Sequence, residues 1–558
     1  MSRYLIVVHD DSAAGTLDAW LASHSSDPTE QWTTRLNGTY TLRIVSPDVA
    51  AGVRGRTFFS GTAWSEQDGF VAFDAAGYAR APQARSGGRS AGAFVQAEWS
   101  RSEVRIANDV LGTVPVMQAH GPGFVAFSDS LLVLADLRGR FGLVNTPNAE
   151  ALLARTGLSW RTAQIASPET VVSQITMLAP GSGLTVQATR PLLVDADPAP
   201  LGAPLRSDDD AVTDLRSSAG FLVGTMRALP ASVPSAVQLG SERDQVLVDA
   251  LRLAEPSGAL PTQVDAVAAA RATDAGSAAA AVVPDAAPPA SLVAWAASGL
   301  GLQDVVVPSV LPDDVAGDET VAVDLVGNAL LRRVWGEETV GGMRESAGVP
   351  DTAVDAYAAQ VEKGLRAVGA DPSLPSASQR HYAAYRAPRF AAAARSGRAA
   401  VHPLQTATSV GAAAVGDRFP GVDALYALAT LLHTDAGTTE GAAAAGRRTL
   451  TLAEIGGALR PTEIPAVEVL GAPGGTSVRS TRLATGIARA RGLGGATADP
   501  AVAIVFMGDL LDVLPADVRP AYESVLGNAR WHLVDRGEGL REAGPAVGKI
   551  LSLVLFAA

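Results

Sequence analysis

One stretch of the chain constrains its fold more than any other: a strand–turn–helix unit at 235–254. Ser235–Leu239 is a short apolar run and Gly240-Ser241 breaks it. Residues 244–254 then place Val246, Leu247, Ala250, Leu251 and Leu253 at helical spacing. The same rhythm predicts a second strand at 264–269, a second helix at 290–299 and a third strand at 305–307, where three valines stand in a row. Strand–helix–strand units of this kind close through right-handed crossovers, and each crossover returns to a parallel neighbour. Residues 234–310 therefore read as α/β.

The first 140 residues follow a different pattern. Short β-type runs at 40–45 and 69–73 are separated by Gly and Asp turns. Residues 93–99 alternate like a strand, 103–107 form another, and 114–119 and 124–127 bracket a Gly121-Pro122-Gly123 turn. A helix is predicted at 130–137. This is an antiparallel meander, one sheet layer of an α+β domain. Prolines and aspartates at 194–210 predict a linker, followed by a helix from about 210 to 227. Beyond 318 the chain reads as mainly helical, with glycine- and proline-rich breaks at 471–477 and 492–500. The expected class is α+β followed by α/β, with domains at 1–200 and 201–558.

Composition narrows the function. With 558 residues, 47% of them hydrophobic and 18% charged, the chain can fill several cores. The net charge of -13 repels phosphate on average, so nucleic acid and anionic membranes are poor partners. There is no cysteine, which excludes disulfides, thiolate metal sites and a cysteine nucleophile. The seven histidines show no zinc spacing. No apolar run reaches the roughly twenty residues of a membrane span. Met1 to Val8 reads as a first strand rather than a signal peptide, so a cytoplasmic protein or one incorporated in a virion is expected. Lysine occurs only at Lys363 and Lys549, and this Arg-, Ala- and Gly-rich usage is that of a GC-rich bacterial or phage coding sequence.

Two sets of residues, in order, carry a resemblance. The first is Asn108-Asp109-Val110-Leu111-Gly112-Thr113-Val114-Pro115, followed by Phe124-Val125-Ala126-Phe127-Ser128-Asp129. The second begins at Val237-Gln238-Leu239-Gly240-Ser241-Glu242-Arg243-Asp244-Gln245. It continues through Ala296 to Leu302, Val326 to Arg332, and Gly397-Arg398-Ala399-Ala400-Val401-His402-Pro403-Leu404. These resemble the asparagine synthetase family and its relatives, the β-lactam synthetases and lasso-peptide cyclases. The matching family patterns are RDxxGxxPLYY with FASExxxL, the LSGGxDS pyrophosphate loop, GxGGDExF, and the GRxxxHPL of actinobacterial members. The resemblance implies a nucleophile-hydrolase-like (Ntn) sandwich followed by a pyrophosphatase-loop (PP-loop) adenylating domain with a helical C-terminal part.

Both catalytic motifs depart from the family. A phosphate-cradling loop needs small residues so that backbone N–H groups can approach the oxygens. Gly240 and Ser241 keep that character, but Glu242 brings a carboxylate to where pyrophosphate would lie. Gln245 replaces the second serine, and Leu330 or a neighbour replaces the acid of the downstream motif. Asp244 remains. Alone it makes a weak magnesium site, and its ordinary role is that of a first-turn helix acid. Of the glutaminase half, only Ser2 offers a nucleophile, and only if Met1 is removed.

The leading expectation is therefore a non-catalytic relative with a structural or interaction role. It would have protein partners or pair with itself, for instance as a subunit of a phage virion, and would use no cofactor or metal. The alternative is an ATP-dependent amide-forming ligase holding ATP and Mg²⁺ through Gly240, Ser241 and Asp244. A third reading is a small-molecule binder that reuses the old cleft. Other motifs have plainer readings. His9 beside Asp10, Asp11 and Ser12 is a strand end, the arginines between Arg380 and Arg398 form a helix face, and 471–477 is a surface loop.

Overall fold

The computed structural model describes residues 3–24, 27–81, 90–156, 166–196, 208–239, 242–254, 260–265, 320–325, 344, 349–370, 377–385, 399–412, 415–419, 422–432, 450–473, 481–488, 490–491, 500–537 and 540–556. They form a mixed α+β protein with antiparallel and parallel sheets.

Two sheets come first. The six-stranded sheet has the order β11-β9-β10-β1-β3-β2, with β1 at Leu5–Asp10, β2 at Gln31–Arg35, β3 at Tyr40–Val45, β9 at Met117–Gly121, β10 at Phe124–Ser128 and β11 at Ile175–Met177. The eight-stranded sheet runs β13-β12-β8-β7-β5-β6-β18, with β4 (Val53–Arg54) beside β5. Its members are β5 (Thr57–Ser65), β6 (Phe70–Ala72), β7 (Ala91–Trp99), β8 (Glu103–Asn108), β12 (Gly183–Gln187), β13 (Leu193–Ala196) and β18 (Glu468–Leu470).

Strand periodicity sorts the side chains between layers. Ile6 and Val8 of β1, Leu42 and Ile44 of β3 and Phe127 of β10 meet Val95, Ala97, Val104, Ile106 and Val186 of the second sheet in one buried cluster. On the other face of β1, Leu5 and Val7 pack with Leu17, Trp20 and Leu21 of helix α1 (Asp11–Ser23) and with Leu131 and Leu134 of α4 (Leu131–Arg140). The outer face of the second sheet buries Phe59, Phe70 and Phe94 against Tyr78 of α3 (Ala75–Arg80). The layers thus run helix, sheet, sheet, helix. Because β1 is buried on both faces, it reads as a continuous apolar run rather than an alternating one.

The expected linker gives way to α6 (Asp208–Ser232), which is longer than the predicted helix and carries Pro230 near its end. The segment between β13 and α6 lies outside the described residues. Next comes the four-stranded parallel sheet β15-β14-β16-β17, with β14 at Ser235–Leu239, β15 at Thr262–Asp265, β16 at Val321–Asp324 and β17 at Ala400–Val401. The second strand thus lies two residues earlier than predicted at its start, while the helix predicted at 290–299 and the strand at 305–307 fall outside the described residues. Ala236, Ala322 and Ala400 stand side by side on one face. Val237, Val323 and Val401 face the core shared with α7 (Glu242–Ala254) and with Leu425 and Leu428 of the Ala424–Leu432 helix.

The later chain returns to the first sheets. β18 pairs with β6 in parallel register, an edge addition that the sequence does not signal. The Asp351–Ala367 helix packs on α5 (Ala149–Arg155), and Ser552–Leu555 packs on α4. Among the described residues, no helix is long and apolar enough to cross a membrane.

Candidate functional site

β14 lies inside the parallel sheet with β15 on one side and β16 on the other. The chain leaves β14 for one neighbour and reaches the other later, so its carboxyl end is a topological switch point, where open α/β sheets bind ligands. Two of the sequence segments singled out above meet the carboxyl ends of these strands within the described residues, 242–245 at the start of α7 after β14 and His402 after β17, while 326–332 lies outside the described residues.

Of the predicted loop, Gly240 and Ser241 lie outside the described residues, as do Leu330 and Ser2. Glu242 is the first residue of α7. Asp244 stands in the same first turn and is 4% exposed. Gln245 is exposed, and its Nε2 donates to Asp249 Oδ1 at 2.9 Å, one turn further along the helix. The β14–α7 junction therefore places two acidic residues at a helix N-terminus, where the end charge of the helix is about half a positive unit.

At β17 the edge is closed by protein. His402 is fully buried, with its ring 6.2 Å from that of Trp64 on β5. Gln405 Nε2 donates to Thr113 Oγ1 at 3.2 Å, and Thr406 Oγ1 to Glu66 Oε2 at 3.1 Å. The loop holding Thr113 is itself built around Asp109, whose Oδ1 accepts from Thr113 Oγ1 at 2.8 Å and from the Leu111 and Thr113 amides at 3.1 and 3.0 Å. Its Oδ2 takes the Val114 amide at 3.2 Å. Gly112, at φ 64°, turns this loop under Pro180. The Asn108–Pro115 motif is thus a docking loop.

Other sequence candidates resolve into structural roles. Asp10 caps α1 by accepting from the Ser12 and Ala13 amides, and His9 Nδ1 lies 2.9 Å from the Asp10 carbonyl. His381 Nε2 lies 2.7 Å from the Ala166 carbonyl. Lys363 bridges Glu150 at 2.9 Å and Glu169 at 3.0 Å. The arginines from Arg386 to Arg398 lie outside the described residues. The acids that sequence reasoning missed are Glu66 and Asp214. Glu66 sits in Ser65-Glu66-Gln67-Asp68-Gly69, which reads as a solvent turn, and no local signal marks it as covered.

No known family model matches the chain, and no characterised protein is detectably similar to it in sequence.

Proposed function

We propose that this is a non-catalytic protein of asparagine-synthetase-like architecture, with an Ntn-like sandwich and a degenerate PP-loop domain, serving a structural or interaction role. Three features support the architecture. The described residues up to 196 form a helix–sheet–sheet–helix stack, the parallel sheet carries β14 at its switch point, and Glu242 to Gln245 and His402 follow the ends of β14 and β17.

The observation that carries the loss of catalysis is the acidic start of α7. An anion site at a helix N-terminus draws on an end charge of about +0.5. Glu242 and Asp244 make two of the residues of that first turn acidic, and acidic residues there compete with a phosphate for the helix end. The covering of the β17 edge by Trp64, Glu66 and Thr113 points the same way. A role as a subunit of a larger assembly, such as a phage virion, accords with the arginine-dominated composition.

Calorimetry with ATP and Mg²⁺ tests the reading. The expected result is no binding up to millimolar nucleotide. Micromolar affinity lost in Asp244→Ala would favour the ATP-dependent amide-forming ligase instead. Light scattering tests the assembly role, for which a mass above the 57.0 kDa of one chain is expected.

A further inference from the structure

The contact between the β5–β6 turn and the segment after β17 has an unusual composition. Glu66 reaches from the turn into a run of buried hydroxyls. Its Oε2 is 3.1 Å from Thr406 Oγ1, which is 3.0 Å from Ser409 Oγ, which in turn is 3.1 Å from Ser218 Oγ on α6. Thr406, Ser409 and Ser218 are 3%, 0% and 0% exposed. Thr408 offers a second hydroxyl to the same carboxyl, but no partner satisfies the enclosed Oε1 with hydrogen-bond geometry.

The charged group whose field reaches Glu66 among the described residues is another acid, Asp214 of α6. Asp214 is wedged against Gly411 of the Ala407–Ala412 helix, where even a methyl group would lie 2.0 Å from its Oδ2. Asp210, one turn earlier on α6, adds its own negative field to Asp214. On the turn itself Asp68 accepts from Ser65 Oγ at 2.8 Å, and beside it His402 packs on Trp64. Among the described residues, no three acids or histidines converge as metal ligands.

From this geometry we infer that the contact is a proton-controlled latch. It holds the β5–β6 turn over the carboxyl edge of the parallel sheet while Glu66 is protonated and loosens as Glu66 ionises. The hydroxyl run serves either state. Protonated Glu66 donates to Thr406, which donates on to Ser409. With Glu66 ionised, Thr406 turns its proton back to the carboxylate. The hydrogen-bond count therefore does not decide the matter, and the electrostatics do. An ionised Glu66 is a largely covered charge in the field of Asp214, and among the described residues no cation offsets it. Burial accordingly pushes Glu66 up to about 7, and burial with the field of Asp210 pushes Asp214 to about 6. Because the Glu66 value is raised, the contact is firmest in acid and weakens as pH rises from the ordinary carboxyl range to about 7, with Asp214 acting through its charge on Glu66.

Hydrogen exchange of the full chain, read on peptides covering 62–72 and 403–412 and corrected for intrinsic rate, tests the latch. If Glu66 returns to an ordinary carboxyl value when the turn opens, opening should rise roughly tenfold between about pH 6 and pH 8. Glu66→Gln should abolish that rise. Should Glu66→Gln fail to fold, Asp214→Asn decides, since removing the repelling charge should shrink the rise. Equal protection of the wild type at both pH values would overturn the latch. So would a rise that survives Glu66→Gln or is undiminished in Asp214→Asn.

Discussion

Arg491 Nε donates to Asp136 Oδ1 at 2.8 Å, joining residues 355 positions apart in the chain. Asp136 is 8% exposed and projects from α4, where Trp20 Nε1 of α1 donates to its other oxygen at 2.8 Å and His24 Nε2 lies 3.6 Å away. One carboxylate thus ties two helices of the sandwich to the C-terminal part of the chain. Arg216 forms a second tie of this kind. It donates to both oxygens of Glu463 and to the carbonyls of Ile455, Gly457 and Ala458. Together with β18 on the edge of the second sheet, these contacts make the N- and C-terminal parts of the chain mutually dependent.

Removing the charge at Asp136 should therefore be felt well beyond α4. Asp136→Asn keeps an acceptor for Trp20 but removes the carboxylate charge that the four-fifths-covered Arg491 guanidinium meets on α4. The expected cost is about 1.5–3 kcal/mol, the range for hydrogen bonds to charged groups. Denaturant midpoints of Asp136→Asn, Arg491→Ala and the double variant should give a coupling of about 1–2 kcal/mol. Simple additivity would mean that the pair contributes nothing jointly.

The Arg216–Glu463 tie should govern acid sensitivity. Hydrogen bonds from Arg216, then from Arg460, hold the Glu463 carboxyl well below the usual carboxylate range. A depressed folded value contributes stability that is complete above the unfolded value and is lost as pH falls from there toward the folded one. Glu463→Gln should therefore lower the melting temperature clearly near pH 7, with the gap to wild type narrowing steadily as pH falls below about 4.5. A gap independent of pH would show that the substitution acts through packing rather than charge.

How much of this was legible depends on how local the cause is. β14 and α7 follow from neighbouring residues, an apolar run, a break and a helical stripe, and both appear where the pattern puts them. The strand expected at 114–119 instead begins at Met117, because Asp109 gathers the Thr113 and Val114 amides into its loop first. β18 is three residues long and has no pattern of its own, since its partner β6 lies about 400 positions away. Glu66 was unreadable for the same reason: the hydroxyl that covers it comes from 340 residues downstream. The apolar run and break at 235–241 indicated where the β14–α7 junction lies, but the closure of the β17 edge is a tertiary fact.

Asp244 separates the two functional readings through stability as well as binding. As a buried first-turn acid of α7 it stabilises the helix end, so Asp244→Ala should cost about 1–2 kcal/mol. Nucleotide heats should stay at baseline in both forms. A variant of unchanged stability that alters ATP binding would instead assign the carboxylate to a ligand.

The closest backbone approach in the sandwich gives the sharpest test of the fold. Gly61 of β5 lies opposite Phe94 of β7 at φ 126°, and a Cβ there would meet the Ala93 carbonyl oxygen at 2.1 Å. Two positions along, Gly92 at φ 148° brings its missing Cβ within 2.3 Å of the Thr62 carbonyl oxygen. The two glycines let the central pair of the eight-stranded sheet close across a local kink. Gly55, in the turn between β4 and β5, also has a positive φ, 61°, but has nothing within 4 Å. Gly55→Ala should therefore cost only the left-handed penalty, about 1–2 kcal/mol. Gly61→Ala adds a backbone collision that no side-chain rotation relieves, and should abolish soluble expression or lower the melting transition far more. Equal effects of the two substitutions would mean that β5 and β7 do not pair in this register.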